Sequence, residues 1–119
     1  MSDFGINLER KEKIAIITID RPNMRNALNE AMWDDLDRVT DSLRDDLPRV
    51  VIVRGRGDKA FCAGMDVSFD NPQIVQFAKA IENKDEKPVE TLIYRLRNAV
   101  DRLVSLPVPI IAAINGLAY

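Results

Sequence analysis

The chain has 119 residues, with 17 Lys plus Arg against 19 Asp plus Glu and a formal net charge of −2; this fits one ordinary domain and argues against a nucleic-acid or anionic-membrane partner held mainly by charge. It has no His and one Cys, which excludes Ser-His-Asp and Cys-His catalysis, zinc sites built from Cys and His, and an internal disulfide, and makes a reducing cytoplasm the expected compartment. A hydrophobic content of 46% with 30% charged residues excludes wholesale disorder, no apolar run approaches the ~20 residues of a membrane span, and no signal-like pattern is read at the N-terminus.

Ile6-Asn7-Leu8-Glu9 alternates apolar and polar residues and predicts a strand. Arg10 to Lys13 is charged and turn-like. Ile14 to Ile19 is β-branched and nearly all apolar, which predicts a second strand buried on both faces or nearly so, paired with the first as a hairpin. Pro22 then breaks the pattern, because it lacks a donor and restricts Arg21. Asn29 is a good cap for a helix, and Leu28 before it and Trp33 inside it are placed to form a hydrophobic staple. Met32, Leu36, Val39, Leu43 and Leu47 make one apolar helical face, with Asp34, Asp35, Asp37, Arg38, Asp41 and Arg44 on the wet side, and Pro48 ends the helix.

Val50 to Val53 reads as a covered parallel strand. Arg54 to Asp70 has no period and contains three glycines, so it is expected to be a loop. Asn71-Pro72 is a cap followed by proline at the first helical position, and Ile74, Phe77, Ala78 and Ile81 form a short stripe behind it. Glu82 to Lys87 is charged and expected to be exposed. Pro88 opens another helix, in which Val89, Leu92, Ile93, Leu96, Val100, Leu103 and Val104 fit the 3.6 period; Leu106-Pro107-Val108-Pro109 stops it. Ile110 to Ile114 is expected to be a third buried strand, and Asn115-Gly116 turns the chain. Strands alternating with helices predict an α/β fold with parallel pairing, in which Val50–Val53 and Ile110–Ile114 flank a right-handed βαβ crossover.

Gly55-Arg56-Gly57-Asp58-Lys59-Ala60 fits a loose dinucleotide-loop pattern, but no helical stripe follows to place an N-terminus on a pyrophosphate. Gly64 is followed by Met65-Asp66 rather than Lys-Ser, so a P-loop is excluded, and Arg56-Gly57-Asp58 matches a cell-adhesion tripeptide in letters only. Two uses stay open for this loop. It is a tight connecting turn, or, beyond the C-terminal end of a parallel strand, it offers an exposed amide such as that of Met65 to a carbonyl oxygen gaining charge.

Ile19-Asp20-Arg21-Pro22, Arg25-Asn26-Ala27-Leu28-Asn29, Ala60-Phe61-Cys62-Ala63-Gly64-Met65-Asp66 and the stretch from Pro107 to Ala118 occur in this order, and together they resemble the crotonase (enoyl-CoA hydratase/isomerase) superfamily. The resemblance implies an α/β fold, the N-terminal portion of the crotonase (ClpP/crotonase-like) ββα-superhelix, with an acyl-CoA thioester as substrate and no separate cofactor or metal. It puts Met65 where a backbone N–H forms half of the oxyanion hole, at a position where family members often carry alanine. It puts Cys62, Ala63, Gly64 and Asp66 in the stretch that wraps the pantetheine and adenine end of CoA, and Met24, Arg25 and Ala27 in the other CoA-contacting segment. Arg25 is a candidate for a CoA phosphate or is a solvated loop charge. Asp66 either touches ligand or caps a short turn. Cys62 has no His partner and reads as a small hydrophobe.

The resemblance further implies that the second oxyanion donor, on a run of glycines, and the hydratase carboxylates lie beyond Tyr119; Glu82, Glu86 and Glu90 match no catalytic position. Residues 1–119 are therefore read as the N-terminal part of one crotonase-like domain, and the isolated chain is expected to lack useful hydratase activity. The expected function is hydration of a 2-enoyl-CoA. Its alternatives are another reaction of the superfamily (double-bond isomerisation, thioester hydrolysis, decarboxylation, dehalogenation) or an inactive fragment that only binds CoA or assembles with other chains. Trimers or hexamers are expected at full length, Val67 to Lys87 is expected to border the acyl pocket, and Ile110 to Ile114 is at risk of being an exposed apolar edge.

Overall fold

The computed structural model describes residues 5–118. In chain order these form β1 (Gly5–Lys11), β2 (Ile14–Asp20), a single 3-10 turn (Pro22–Met24), α1 (Glu30–Asp45), β3 (Val50–Gly55), β4 (Ala60–Cys62), α2 (Pro72–Glu82), α3 (Lys87–Val104), β5 (Ile110–Ala113) and β6 (Leu117–Ala118). A four-stranded sheet runs in the order β1-β2-β3-β5, and β4 and β6 pair separately. The β1–β2 hairpin is antiparallel, while β2–β3, β3–β5 and β4–β6 are parallel. Helices thus fill both connections between parallel neighbours of the main sheet, as the alternation of periods requires.

The hairpin closes one step later than its charge pattern suggests. Arg10 and Lys11 still pair with Ala15 and Ile14, and the turn is Glu12-Lys13, with Glu12 in the left-handed region. Ala15, Ile17 and Ile19 of β2 and Val51 of β3 are buried in one core with Met32, Trp33, Leu36 and Leu43 of α1 and Ala99 and Leu103 of α3. Leu28 belongs to this core too, consistent with its staple position next to the Asn29 cap, whose side chain accepts from Met32 N–H at 3.0 Å. The opposite face of β2 departs in part from the expected double burial: Ile14 is exposed and Ile16 half-buried, while Thr18 is fully buried and accepts from Arg54 Nε at 3.0 Å.

Helix α1 stops at Asp45, so Leu47 is not on its apolar face and is 46% exposed. The stop falls just before Pro48, as expected, and the guanidinium of Arg10 in β1 donates to the carbonyls of Ser42 (3.1 Å) and Asp46 (2.8 Å) at that end. In α2 the buried residues are Gln73 and Ala80; Ile74 and Phe77 are half-buried, while Ala78 and Ile81 face outward. The packed face therefore runs through Gln73, Ile74, Phe77 and Ala80, rotated from the expected stripe.

Helix α3 carries two stripes. Leu96, Ala99 and Leu103 pack toward α1, alongside ion pairs from Arg95 and Arg102 to Asp34, Asp37 and Asp41. Ile93, Val100 and Val104 face outward. Strand β5 is not buried as predicted. It is the sheet edge, with Ile110 half-buried and Ile111 exposed, as the edge alternative anticipates.

The segment Arg54–Asp70 is not simply a loop either. It continues β3 to Gly55, forms β4, and adds a bridge between Met65 and Leu28. Here glycine is required at two crossings. A Cβ on Gly55 would collide with the carbonyl oxygens of Phe61 and Ala60, and one on Gly116 with that of Lys59.

Candidate functional site

The segment after β2 is compressed by Pro22 into one tight turn. Met24 and Asn26 N–H both donate to Arg21 O, at 3.0 and 2.9 Å, and Arg25 N–H donates to Pro22 O. Arg25 (φ 53°) and Asn26 (φ 59°) are consecutive left-handed residues that reverse the chain. Ala27 and Leu28 then run out as an extended template.

The loop after β4 lies on that template. Ala63 N–H donates to Arg25 O (3.0 Å), Leu28 N–H to Gly64 O (2.8 Å) and Asp66 N–H to Leu28 O (2.8 Å). In a parallel bridge of this kind the middle residue turns its own N–H and C=O away from the partner strand. That residue is Met65, and its N–H meets no acceptor among the described residues. Gly64 precedes it at φ +95°, a conformation L side chains rarely adopt. The arrangement therefore holds one main-chain donor outward on a backbone fixed on both sides.

Asp66 fixes the far side. Only 3% exposed, it accepts from Ser68 N–H (2.9 Å) and from the Arg21 guanidinium (2.8 Å). Burial pushes its carboxyl up, but the Ser68 and Arg21 hydrogen bonds and the Arg21 charge outweigh that and hold it below the usual carboxylate range. Asp66 thus has both oxygens engaged, one in an Asx-type turn with Ser68 and one with Arg21. Its carbonyl accepts from Asn71 Nδ2 (2.8 Å), and Asn71 Oδ1 accepts from Glu30 and Gln73 N–H, so one side chain ties the loop to the starts of α1 and α2.

Cys62 is buried, and burial pushes its thiol up; the sulfur accepts from Gly64 N–H at 3.4 Å, so it packs and braces the loop, as a small hydrophobe does. Ala27 is buried, whereas Met24 and Arg25 are exposed. Arg25 lines an open cleft of about 320 Å³ with Arg56, Asp58 and Lys59. Reading the sequence alone singles out Arg25 and passes over Arg56 and Lys59, whose place on the same wall depends on how the β3–β4 loop folds back. Arg21 is missed as well. The structure thus brings Arg25, Ala27, Cys62, Ala63, Gly64, Met65 and Asp66 onto two hydrogen-bonded segments, with Met24 in the turn at their edge.

Glu82, Glu86 and Glu90 are all exposed and far along the chain from this loop. No group of three or more His, Cys, Asp or Glu among the described residues could hold a metal ion, and no described helix is long and apolar enough to cross a membrane.

A family model described as "Enoyl-CoA hydratase/isomerase" matches residues 9–119. Crotonyl-CoA hydratase of Syntrophomonas wolfei is 35% identical over 115 residues, which is 96% of this chain and 40% of that protein. Short-chain-enoyl-CoA hydratase of Clostridium acetobutylicum is 34% identical over the same share of each chain. Among solved structures, an enoyl-CoA hydratase/carnithine racemase from Magnetospirillum magneticum superimposes with a TM-score of 0.75 at 34% identity, covering 96% of this chain and 39% of the other. The chain spans about 40% of the length of the curated relatives it matches, and its fold is the N-terminal portion of theirs.

Proposed function

The chain belongs to the enoyl-CoA hydratase/isomerase family, and on that premise we propose that it binds a CoA thioester and holds the thioester oxygen for hydration of a 2-enoyl-CoA. The observation that carries this reading is the outward Met65 N–H, an unspent donor fixed by the Leu28 bridge. As water adds to the β-carbon, charge gathers on the thioester oxygen, and a donor already in place stabilises it without reorganising. Arg25, Arg56 and Lys59 outnumber Asp58 on the neighbouring cleft, and although Arg56 also pairs with Asp20 at 3.4 Å, their charge and the fork geometry of the arginines suit the phosphates of CoA. The larger Met side chain narrows the acyl side compared with alanine.

Among the described residues the carboxylate nearest in sequence to this donor is Asp66, and it is committed to Arg21 and Ser68. It does not serve as the proton donor or acceptor, so in this reading residues 5–118 supply binding and one oxyanion donor, and the proton-transferring groups come from elsewhere in the assembled enzyme. By themselves these residues bind without turning over. The same donor would serve isomerisation or thioester hydrolysis, and the proton-transferring groups decide among them.

The test is a titration of the ¹⁵N-labelled protein with acetyl-CoA. The Met65 amide proton should move downfield and exchange more slowly as the complex fills. An unmoved Met65 resonance at saturation would remove the basis of the reading.

A further inference from the structure

Asn26 is fully buried and left-handed, and every polar atom of its side chain is engaged. Oδ1 accepts from Arg21 N–H at 2.9 Å, while Nδ2 donates to Arg56 O at 3.1 Å and to Ala60 O at 2.9 Å. The carboxamide therefore joins two pieces of chain distant in sequence, at three points: the turn that presents Arg25, and the segment that runs from the β3–β4 loop at Arg56 to the first residue of β4, Ala60, which leads into the Met65 loop. Its neighbour Arg25 supplies the carbonyl that holds Ala63 N–H. Asn115 grips the same loop from the other side, donating to Gly55 O (3.2 Å) and Gly57 O (2.7 Å), but it reaches neither Arg25 nor Arg21. Asn115 also reaches Ala60 O at 3.4 Å, but among the described residues Asn26 is the one whose side chain joins the Arg21–Arg25 turn to the Arg56–Ala60 segment.

Burying a carboxamide with all its bonds made is unnecessary for a turn, which a left-handed glycine makes at no steric cost. What glycine cannot do is fix the distance between Arg25 and Arg56, and between that pair and the start of the Met65 loop. We infer that Asn26 is a positioning residue: its carboxamide holds the cationic cleft and the Met65 donor in one fixed relation, so that the phosphate end and the thioester end of a CoA ligand are met together. This rests on the CoA reading above. It touches no ligand itself; it acts through Arg56, Ala60 and Arg25.

The experiment compares the wild-type protein, as its own cell makes it, with Asn26→Gly, which keeps the left-handed backbone and removes the side-chain bonds, and Asn26→Asp, which keeps the acceptor and loses both donations. CoA affinity is measured calorimetrically, well below each protein's melting temperature, and the Met65 amide shift is followed with acetyl-CoA. A positioning role raises the CoA Kd by about ten-fold or more in both variants and shrinks the Met65 shift at saturation, since sub-ångström misplacement of a preorganised site is costly. A merely structural role lowers the melting temperature and leaves both readouts alone; Kd values within two-fold of wild type would overturn the inference. A wild type that does not bind CoA at all would overturn both this and the CoA reading, whereas binding that the variants keep would overturn only this one. Should neither variant fold, the wild type still decides: the Asn26 carboxamide proton resonances must shift when CoA fills the cleft, and resonances that stay put would sink the idea.

Discussion

Replacing Asp66 by Asn removes one charge and one acceptor from a site where both carboxylate oxygens are in use. The side chain is 3% exposed and its partner Arg21 is 18% exposed, so the pair sits largely away from water. An Asn side chain can keep the Ser68 N–H bond with its single oxygen, but its NH₂ then faces the Arg21 guanidinium, donor against donor. Breaking a fully buried pair costs about 3–5 kcal/mol. Here Arg21 retains a bond to Ala27 O at 3.3 Å and some contact with solvent, which reduces the loss to about 2 kcal/mol. Urea unfolding at neutral pH checks this value. The sign of the pH dependence follows from the lowered carboxyl. Its folded pKa lies below the unfolded one, about 3.9, so its contribution is complete above that pH and is lost as pH falls through the folded value. The gap between wild type and Asp66→Asn should therefore be widest at neutral pH and narrow steadily in acid. A neutral-pH loss below about 0.5 kcal/mol, or a gap that does not change on acidification, would show that the pair does not hold the loop.

Asn29→Ala removes the cap on Met32 N–H and should cost about 1 kcal/mol in the same unfolding assay, with no change in CoA affinity. Gly64→Ala forces a side chain to φ +95°, so stability should fall by about 1–3 kcal/mol and the Met65 amide resonance should move even without ligand. Met65→Ala keeps the donor, because the donor is main chain; the amide at position 65 should still shift with acetyl-CoA, while calorimetric affinity across a series of acyl-CoAs should move toward bulkier acyl groups.

The parts of this molecule that were legible in the sequence are those whose cause is local. Asn29 and Asn71 each cap the helix that begins next to them, and the β-branched run Ile14–Ile19 is a strand whose inward residues enter the core. The end of α1 before Pro48 is legible too, whereas the Arg10 guanidinium that takes its last carbonyls is not, because it comes from more than thirty residues away. Strands β4 and β6 were missed for a similar reason: each is too short to show a period, and they pair with one another across the length of α2 and α3. The outward faces of α3 and β5 look like core by periodicity alone, which reports that a stripe is apolar and not what covers it.

The candidate site follows the same division in a way that explains which letters mattered. Its donor is a backbone N–H, so the residue type at Met65 is free to vary while the geometry is not. Geometry is set instead by residues whose side chains, or lack of them, control the main chain: Gly64 by its positive φ, Gly55 by the close passage of Phe61 and Ala60, Asp66 by its two accepted bonds, and Asn26 by three. None of these has the signature of a catalytic residue, and pattern reading alone left the glycine-rich loop open between a connecting turn and a donor site. Pattern names the Met65 amide as one of two uses of the loop, and the resemblance to a family favours that use. The fold adds what neither supplies, a bridge to Leu28 whose hydrogen-bond pattern turns Met65 N–H away from that strand, with no acceptor among the described residues.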